Sequence, residues 1–119
     1  MEYKDLVSEA YQSIDNADAA RFASFITPDG IFRFANIPAV KGNKAIEEFV
    51  AGFFQSLKGI KHSNLESWRA EDTIFINGNV KYTRHNNTSL EVPFSCTWKM
   101  KDGLIDEYLI FIDNSELYK

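Results

Sequence analysis

GNVKYTRHNNTSLEVPFSCTWKMKDGLIDEYLIFID, residues 78–113, decides the architecture. Its alternation predicts three antiparallel strands, 80–86, 92–100 and 106–112, holding one phase across turns at 86–89 and 101–103. The even positions form one face: Val80, Tyr82, Arg84 and Asn86; Val92, Phe94, Cys96, Trp98 and Met100; Asp106, Tyr108, Ile110 and Ile112. On the first two strands the odd positions are mostly polar, so the even face is the one expected to pack. If the strands pair through those turns, Tyr82, Phe94 and Ile110 share an inner row and Arg84 neighbours Val92 and Ile112. Arg84, Asn86 and Asp106 then point inward, where a polar group costs free energy unless it finds a partner. Such groups mark a satisfied core network or a ligand site.

With 119 residues the chain is expected to be one domain, 1–119, burying roughly two thirds of its unfolded surface. It is 45% hydrophobic and contains ten Phe, ample material for a core and too much for a disordered chain. A net charge of -4 with scattered Lys and Arg argues against nucleic acid as a partner. Cys96 has no second cysteine to pair with, and the start MEYKDLVSEAY lacks a signal-peptide core, so a reducing cytoplasm is expected. No apolar run nears the roughly 20 residues that cross a bilayer, so no membrane is expected. His62 and His85 lack any HxH or HxxxH spacing, and neither a metal nor a cofactor is expected.

Upstream, Tyr3, Leu6, Val7, Ala10, Tyr11 and Ile14 recur at helical spacing over 3–15. Asp15-Asn16-Ala17-Asp18 offers two N-caps for a second helix running from Ala19 through Ile26, which Thr27-Pro28-Asp29-Gly30 should break. Ile31–Phe34 reads as a short strand. Asn43 is placed to cap a third helix, 44–57, whose Ile46, Phe49, Val50, Phe53, Phe54 and Leu57 make the broadest apolar helical face. Strands at 61–69 and 73–76 meet at Ala70-Glu71-Asp72, and Asn77-Gly78 has the composition of a two-residue type I′ turn. Helices first and strands afterwards predict an α+β fold with helices covering one face of a mostly antiparallel sheet. An apolar strip with Leu109 and Phe111 on the outer face suggests a homodimer through that face.

The whole order, together with His62, Trp68, Gly78-x-Val80-x-Tyr82-Thr83-Arg84, Val92-Pro93-Phe94, Lys101-Asp102-Gly103-Leu104-Ile105 and the closing Tyr108–Asp113, resembles the SnoaL-like branch of the nuclear transport factor 2 superfamily. Ketosteroid isomerases and limonene epoxide hydrolases belong to the same superfamily. Phe34-Ala35-Asn36-Ile37-Pro38 and Gly42-x-x-Ala45-Ile46 carry the resemblance upstream. It implies a cystatin-like cone, a strongly curved sheet wrapped around helices and enclosing a ligand-binding cavity, frequently in dimers. The isomerase base would fall near Phe34, its protonated aspartic acid on Cys96, and Tyr11 resembles its second donor. The epoxide hydrolase arginine falls on Arg84, its two aspartates on Asn86 and Ile110, the asparagine that helps hold its water on Asn36, and its tyrosine on Phe34. Neither Asn nor Ile takes up a proton near neutral pH, so neither relay is complete.

The leading expectation is therefore a protein that binds a small, largely apolar molecule bearing a carbonyl or acidic group. Arg84 and Asn36 would orient the polar end, and Phe34, Tyr82, Asn86, Trp98, Tyr108 and Ile110 would line the site. For Arg84 the bland alternative is a salt bridge at the cavity lip; for Asn36 and Asn86, turn chemistry; for the aromatics, plain core. A second expectation is an isomerase, cyclase or epoxide-hydrolase-like enzyme with a different acid/base set, using His62 or Tyr108 with Arg84. A third is a non-catalytic dimerisation module whose interior is filled by phenylalanines. Cys96 has no histidine of the same strand phase and is expected to be a small core residue.

Overall fold

The computed structural model describes residues 2–118; Met1 and Lys119, the ends of the expected domain, lie outside the described residues. Two helices, α1 (Tyr3–Asp15) and α2 (Ala19–Ser24), precede β1 (Ile26–Phe34), β2 (Val40–Lys41) and α3 (Asn43–Gln55). Four long strands follow: β3 (Gly59–Ala70), β4 (Thr73–Thr83), β5 (Ser89–Lys101) and β6 (Leu104–Ile112). They form a six-stranded sheet in the order β2-β1-β6-β5-β4-β3, antiparallel throughout except where β1 runs parallel to β6. The expected α+β cone is what forms, with the helices on the concave side.

The helices sit where their apolar stripes dictate. Leu6, Val7, Ala10 and Tyr11 put one face of α1 into the core, and α1 packs against β3 at one edge of the sheet. Ile46 and Val50 anchor α3, with Phe49, Phe53 and Phe54 partly buried beside them, and α3 packs towards β1 near the other edge. The sheet must curl to meet both. Its inner rows run across four strands: Ile74, Trp98, Tyr108 and Phe32 in one, Ile76, Cys96, Ile110 and Phe34 in the next. Trp98 and Tyr108 are fully buried, as the strand alternation predicts.

Register departs from the sequence reading, and turn chemistry explains why. Strand β4 ends at Thr83, not at Asn86, because Arg84 and Thr88 close a turn (Arg84 N to Thr88 O, 2.8 Å) in which Asn87 takes the left-handed conformation at φ 69. Tyr82 consequently pairs with Leu90, and Phe94 with Gly78 and Ile112, rather than Tyr82 with Phe94 and Ile110. Arg84 and Asn86 belong to this turn and have no strand phase.

Asn77-Gly78 is not a hairpin turn but the middle of β4, with Asn77 opposite Ser95 and Gly78 opposite Phe94. Across the sheet β3 carries a bulge between Ser63 and Glu66, with Asn64 at φ 55, and this brings Leu65 down over Gly78. A Cβ on Gly78 would lie 2.8 Å from Leu65 Cδ2, 3.1 Å from Phe94 Cε1 and 3.1 Å from Ser63 O. Here the glycine serves close approach rather than reversal.

Three smaller corrections fall upstream. The segment Thr27–Gly30 lies inside β1, bulged between Ile26 and Ile31, and Ile26 pairs with Ile105 instead of ending a helix. Gly42 takes the N-cap position of α3 and Asn43 begins the helix. Of the two N-caps expected within residues 15–18 for α2, Asp18 is the one that acts, accepting from Arg21 N at 3.1 Å.

Gly78→Ala is expected to lower the unfolding free energy by about 1–3 kcal/mol despite alanine's lower backbone entropy cost, because the added methyl overpacks the β3 bulge. Urea denaturation measures it. A wild-type midpoint would show that Leu65 yields without cost.

Candidate functional site

The cone encloses a cavity of about 50 Å³. Phe49, Phe53 and Phe54 of α3 form one wall, and Phe34, Tyr82, Phe94, Tyr108 and Ile110 of the sheet form the other. Tyr11 of α1 and His62 of β3 complete it. Of the residues expected at the site, the structure gathers Phe34, Tyr82, Tyr108, Ile110 and His62 here. Arg84, Asn36, Asn86 and Trp98 are not among the lining residues.

Each excluded residue has an evident placement. The Arg84 guanidinium is taken by the chain beyond β6: Nε donates to Leu117 O (2.7 Å), Nη2 to Glu116 O (2.9 Å) and Nη1 to Thr88 Oγ1 (3.1 Å). Among the described residues these oxygens are its hydrogen-bond partners, and it thereby pins a strap whose Leu117 is fully buried. The Asn86 side chain accepts from Thr88 N and Thr88 Oγ1, the local bonding that suits asparagine to turns. Asn36 is exposed in the turn after β1. Trp98 lies behind the cavity, stacked on Tyr11 with centroids 5.9 Å apart and tilted against Tyr108 at 5.3 Å. Asp106, also inward by phase, accepts from the Thr27 hydroxyl at 2.8 Å.

His62 has a partner that sequence reasoning missed. Its Nδ1 lies 2.6 Å from Asp15 Oδ1, and its backbone N–H is shared between the two Asp15 oxygens at 3.1 and 3.2 Å. An ionised carboxylate can only accept, so the contact fixes the proton on Nδ1 and leaves Nε2 as the uncommitted nitrogen. The imidazole is held edge-on between Tyr11 (4.7 Å) and Phe94 (5.3 Å). A signal was present: Asp15 lies one helical turn beyond the inward-facing Tyr11, on the same face of α1.

The polar groups beside and behind the cavity are uncharged. Tyr11 donates to Cys96 Sγ at 3.3 Å, while the Tyr108 hydroxyl and Trp98 Nε1 are buried without a hydrogen-bond partner among the described residues. Burial pushes the Cys96 thiol up to about 12, outweighing the opposite effect of its tyrosine neighbours, so it is no thiolate nucleophile near neutral pH. Burial, followed by the proximity of Cys96, also holds Tyr11 and Tyr108 well above the ordinary tyrosine range. These hydroxyls are neutral donors. Among the described residues no group of three or more His, Cys, Asp or Glu side chains is placed to hold a metal.

The SnoaL-like domain family matches residues 7–108. No curated protein matches the chain significantly in sequence. Solved structures match it in fold. A polyketide cyclase-like protein from Xanthomonas campestris pv. campestris superposes with a TM-score of 0.87 at 15% identity, covering 96% of this chain and 92% of that one. TerC, co-crystallised with polyporic acid, gives 0.82 at 19% identity over 96% of this chain and 93% of its own. A ketosteroid isomerase-like fold from Catenulispora acidiphila, in complex with trimethylamine, gives 0.81 at 14% identity over 88% and 82%. At such identities the structures speak for the fold, and the sequence match over residues 7–108 assigns the chain to the SnoaL-like domain family.

Proposed function

We propose that this protein binds a small, largely apolar molecule bearing a carbonyl in its cone cavity and acts on it by acid–base chemistry of the isomerase or cyclase kind. The observation that carries the reading is the 2.6 Å contact from His62 to Asp15, with the imidazole set in the wall of an aromatic cavity. Asp15 holds the ring in one tautomer and stabilises the imidazolium that forms when Nε2 takes a proton from the carbon beside the carbonyl. The negative charge moves onto the ligand oxygen, and the neutral hydroxyl of Tyr108, a residue of the cavity wall close to Tyr11, Cys96 and Trp98, is the donor assigned to it. The proton then returns to a different carbon, and nothing is consumed. TerC, which matches this chain in fold, is co-crystallised with polyporic acid, and this agrees with a small-molecule ligand. An acidic ligand group, the other half of the original expectation, has less support because Arg84 is engaged elsewhere.

The test is hydrogen–deuterium exchange at the α-carbons of 4-phenyl-2-butanone, an open-chain ketone, in D₂O, followed by NMR. Wild-type protein should accelerate exchange, and His62→Ala or Asp15→Asn should each lose about 100-fold or more of that acceleration. Acceleration that survives His62→Ala in a folded variant would remove the reading.

The neutral wall has a signature in stability. Cys96 ionises at 9.0 in an unfolded chain but near 12 when buried, so between these values the folded state holds more protons than the unfolded one and stability falls as pH rises. The melting temperature is expected to decline above pH 9, and Cys96→Ala should flatten the first part of that decline. A thiol reagent should label the native protein only as fast as it opens.

We also propose that the protein is a cytoplasmic homodimer through the outer sheet face. Trp68, Phe75, Thr97 and Leu109 stand in one cross-strand row on that face, and Phe111 beside them is 58% exposed. The lone buried thiol suits a reducing compartment, and no described helix is long and apolar enough to cross a membrane. Light scattering should give twice the 13.6 kDa chain mass, and Phe111→Glu should give one chain; a monomeric wild type would refute the dimer.

A further inference from the structure

Glycine inside a helix destabilises it relative to alanine, and is usually explained by a close backbone approach. Gly52 has no such explanation. It lies inside α3, and a Cβ built there meets nothing within 4 Å. The open space beside it is a groove of about 360 Å³ between α3 and the strap, bounded by Ile37, Ser56, Asn114 and Tyr118. The strap forms its roof, fixed by Arg84 on the carbonyls of Glu116 and Leu117 and by a 2.8 Å contact between Tyr118 and Ser56 hydroxyls.

Groove and cavity share three walls, Phe34, Phe49 and Phe53, so only aromatic side chains separate them. Phe34 and Phe53 meet with centroids 5.1 Å apart. The cavity alone, at about 50 Å³, is too small for a ring, since benzene occupies an apolar cavity of about 150 Å³. A ligand that reaches His62 and Tyr108 must therefore extend outward past the phenylalanines.

We propose that the groove between α3 and the strap is the outer half of the ligand site: it takes the apolar ring end of a ligand whose carbonyl end enters the cavity, and Gly52 sets how bulky that ring end can be. The inference rests on the cavity being the ligand site proposed above. It names the substrate class more narrowly, as an elongated ketone with at least two linked or fused rings. Phe53, in ring contact with both Phe34 and Tyr82, is the side chain that must turn to join the two compartments.

Gly52→Leu separates site from scaffold, because leucine favours the helix and its side chain enters open space. The measurement is the dissociation constant of 4-(biphenyl-4-yl)-2-butanone, whose carbonyl stands on an open chain, by calorimetric titration, for wild type, Gly52→Ala and Gly52→Leu, with melting temperatures alongside. Gly52→Leu is expected to melt no lower than wild type and to bind at least tenfold more weakly, with Gly52→Ala between. Binding by wild type that is unchanged in Gly52→Leu would overturn the outer site while leaving the cavity reading intact. No binding by wild type would overturn both.

Discussion

A single carboxylate ties the beginning of the chain to the far edge of its sheet. Asp15, the last residue of α1, receives both the ring and the backbone N–H of His62 on β3, the strand at the opposite end of the sheet from β1 and β2. Charge-assisted bonds of this kind are roughly twice as strong as neutral ones, and here they fasten a curled edge to a helix end. His62 lines the cavity, so the contact fixes part of the cavity wall. Its wall chemistry follows from the same contact, since the residue that closes the cone also orients the imidazole facing its interior.

The polar groups around the cavity are of two kinds. One is an imidazole backed by a carboxylate. The other is the set of Tyr11, Cys96 and Tyr108, which burial keeps protonated. The places where the sequence's resemblance to isomerases and epoxide hydrolases would put carboxylates hold Phe34, Cys96, Asn86 and Ile110, whereas Asp15, which meets His62 beside the cavity, comes from a helix terminus.

Strand phase was the most legible quantity in the sequence. Tyr82, Cys96, Trp98 and Tyr108 all face inward, because alternation on a half-buried sheet is enforced by burial itself. Strand length was less so. Arg84 and Asn86 share the parity of Tyr82, but the ladder stops at Thr83, and parity has no meaning past the last ladder bond. Gly78 failed for the complementary reason: Asn-Gly is a strong local signal, overridden by a bulge on a neighbouring strand that sequence neighbours cannot reveal. Asp15 drew notice only as part of the capping segment 15–18, because caps are local, whereas its partner lies 47 residues away.

The bulge has a consequence beyond its effect on Gly78. Strand β3 is 12 residues long and forms an open border of the sheet, a shape that invites another chain to add itself as a further strand. The kink at Asn64 interrupts the straight run of free amides and carbonyls, while Lys61, Glu66 and Arg69 spread charge of both signs along the exposed rim. The border is thereby protected from templating aggregation at the same point where it bends to enclose the interior.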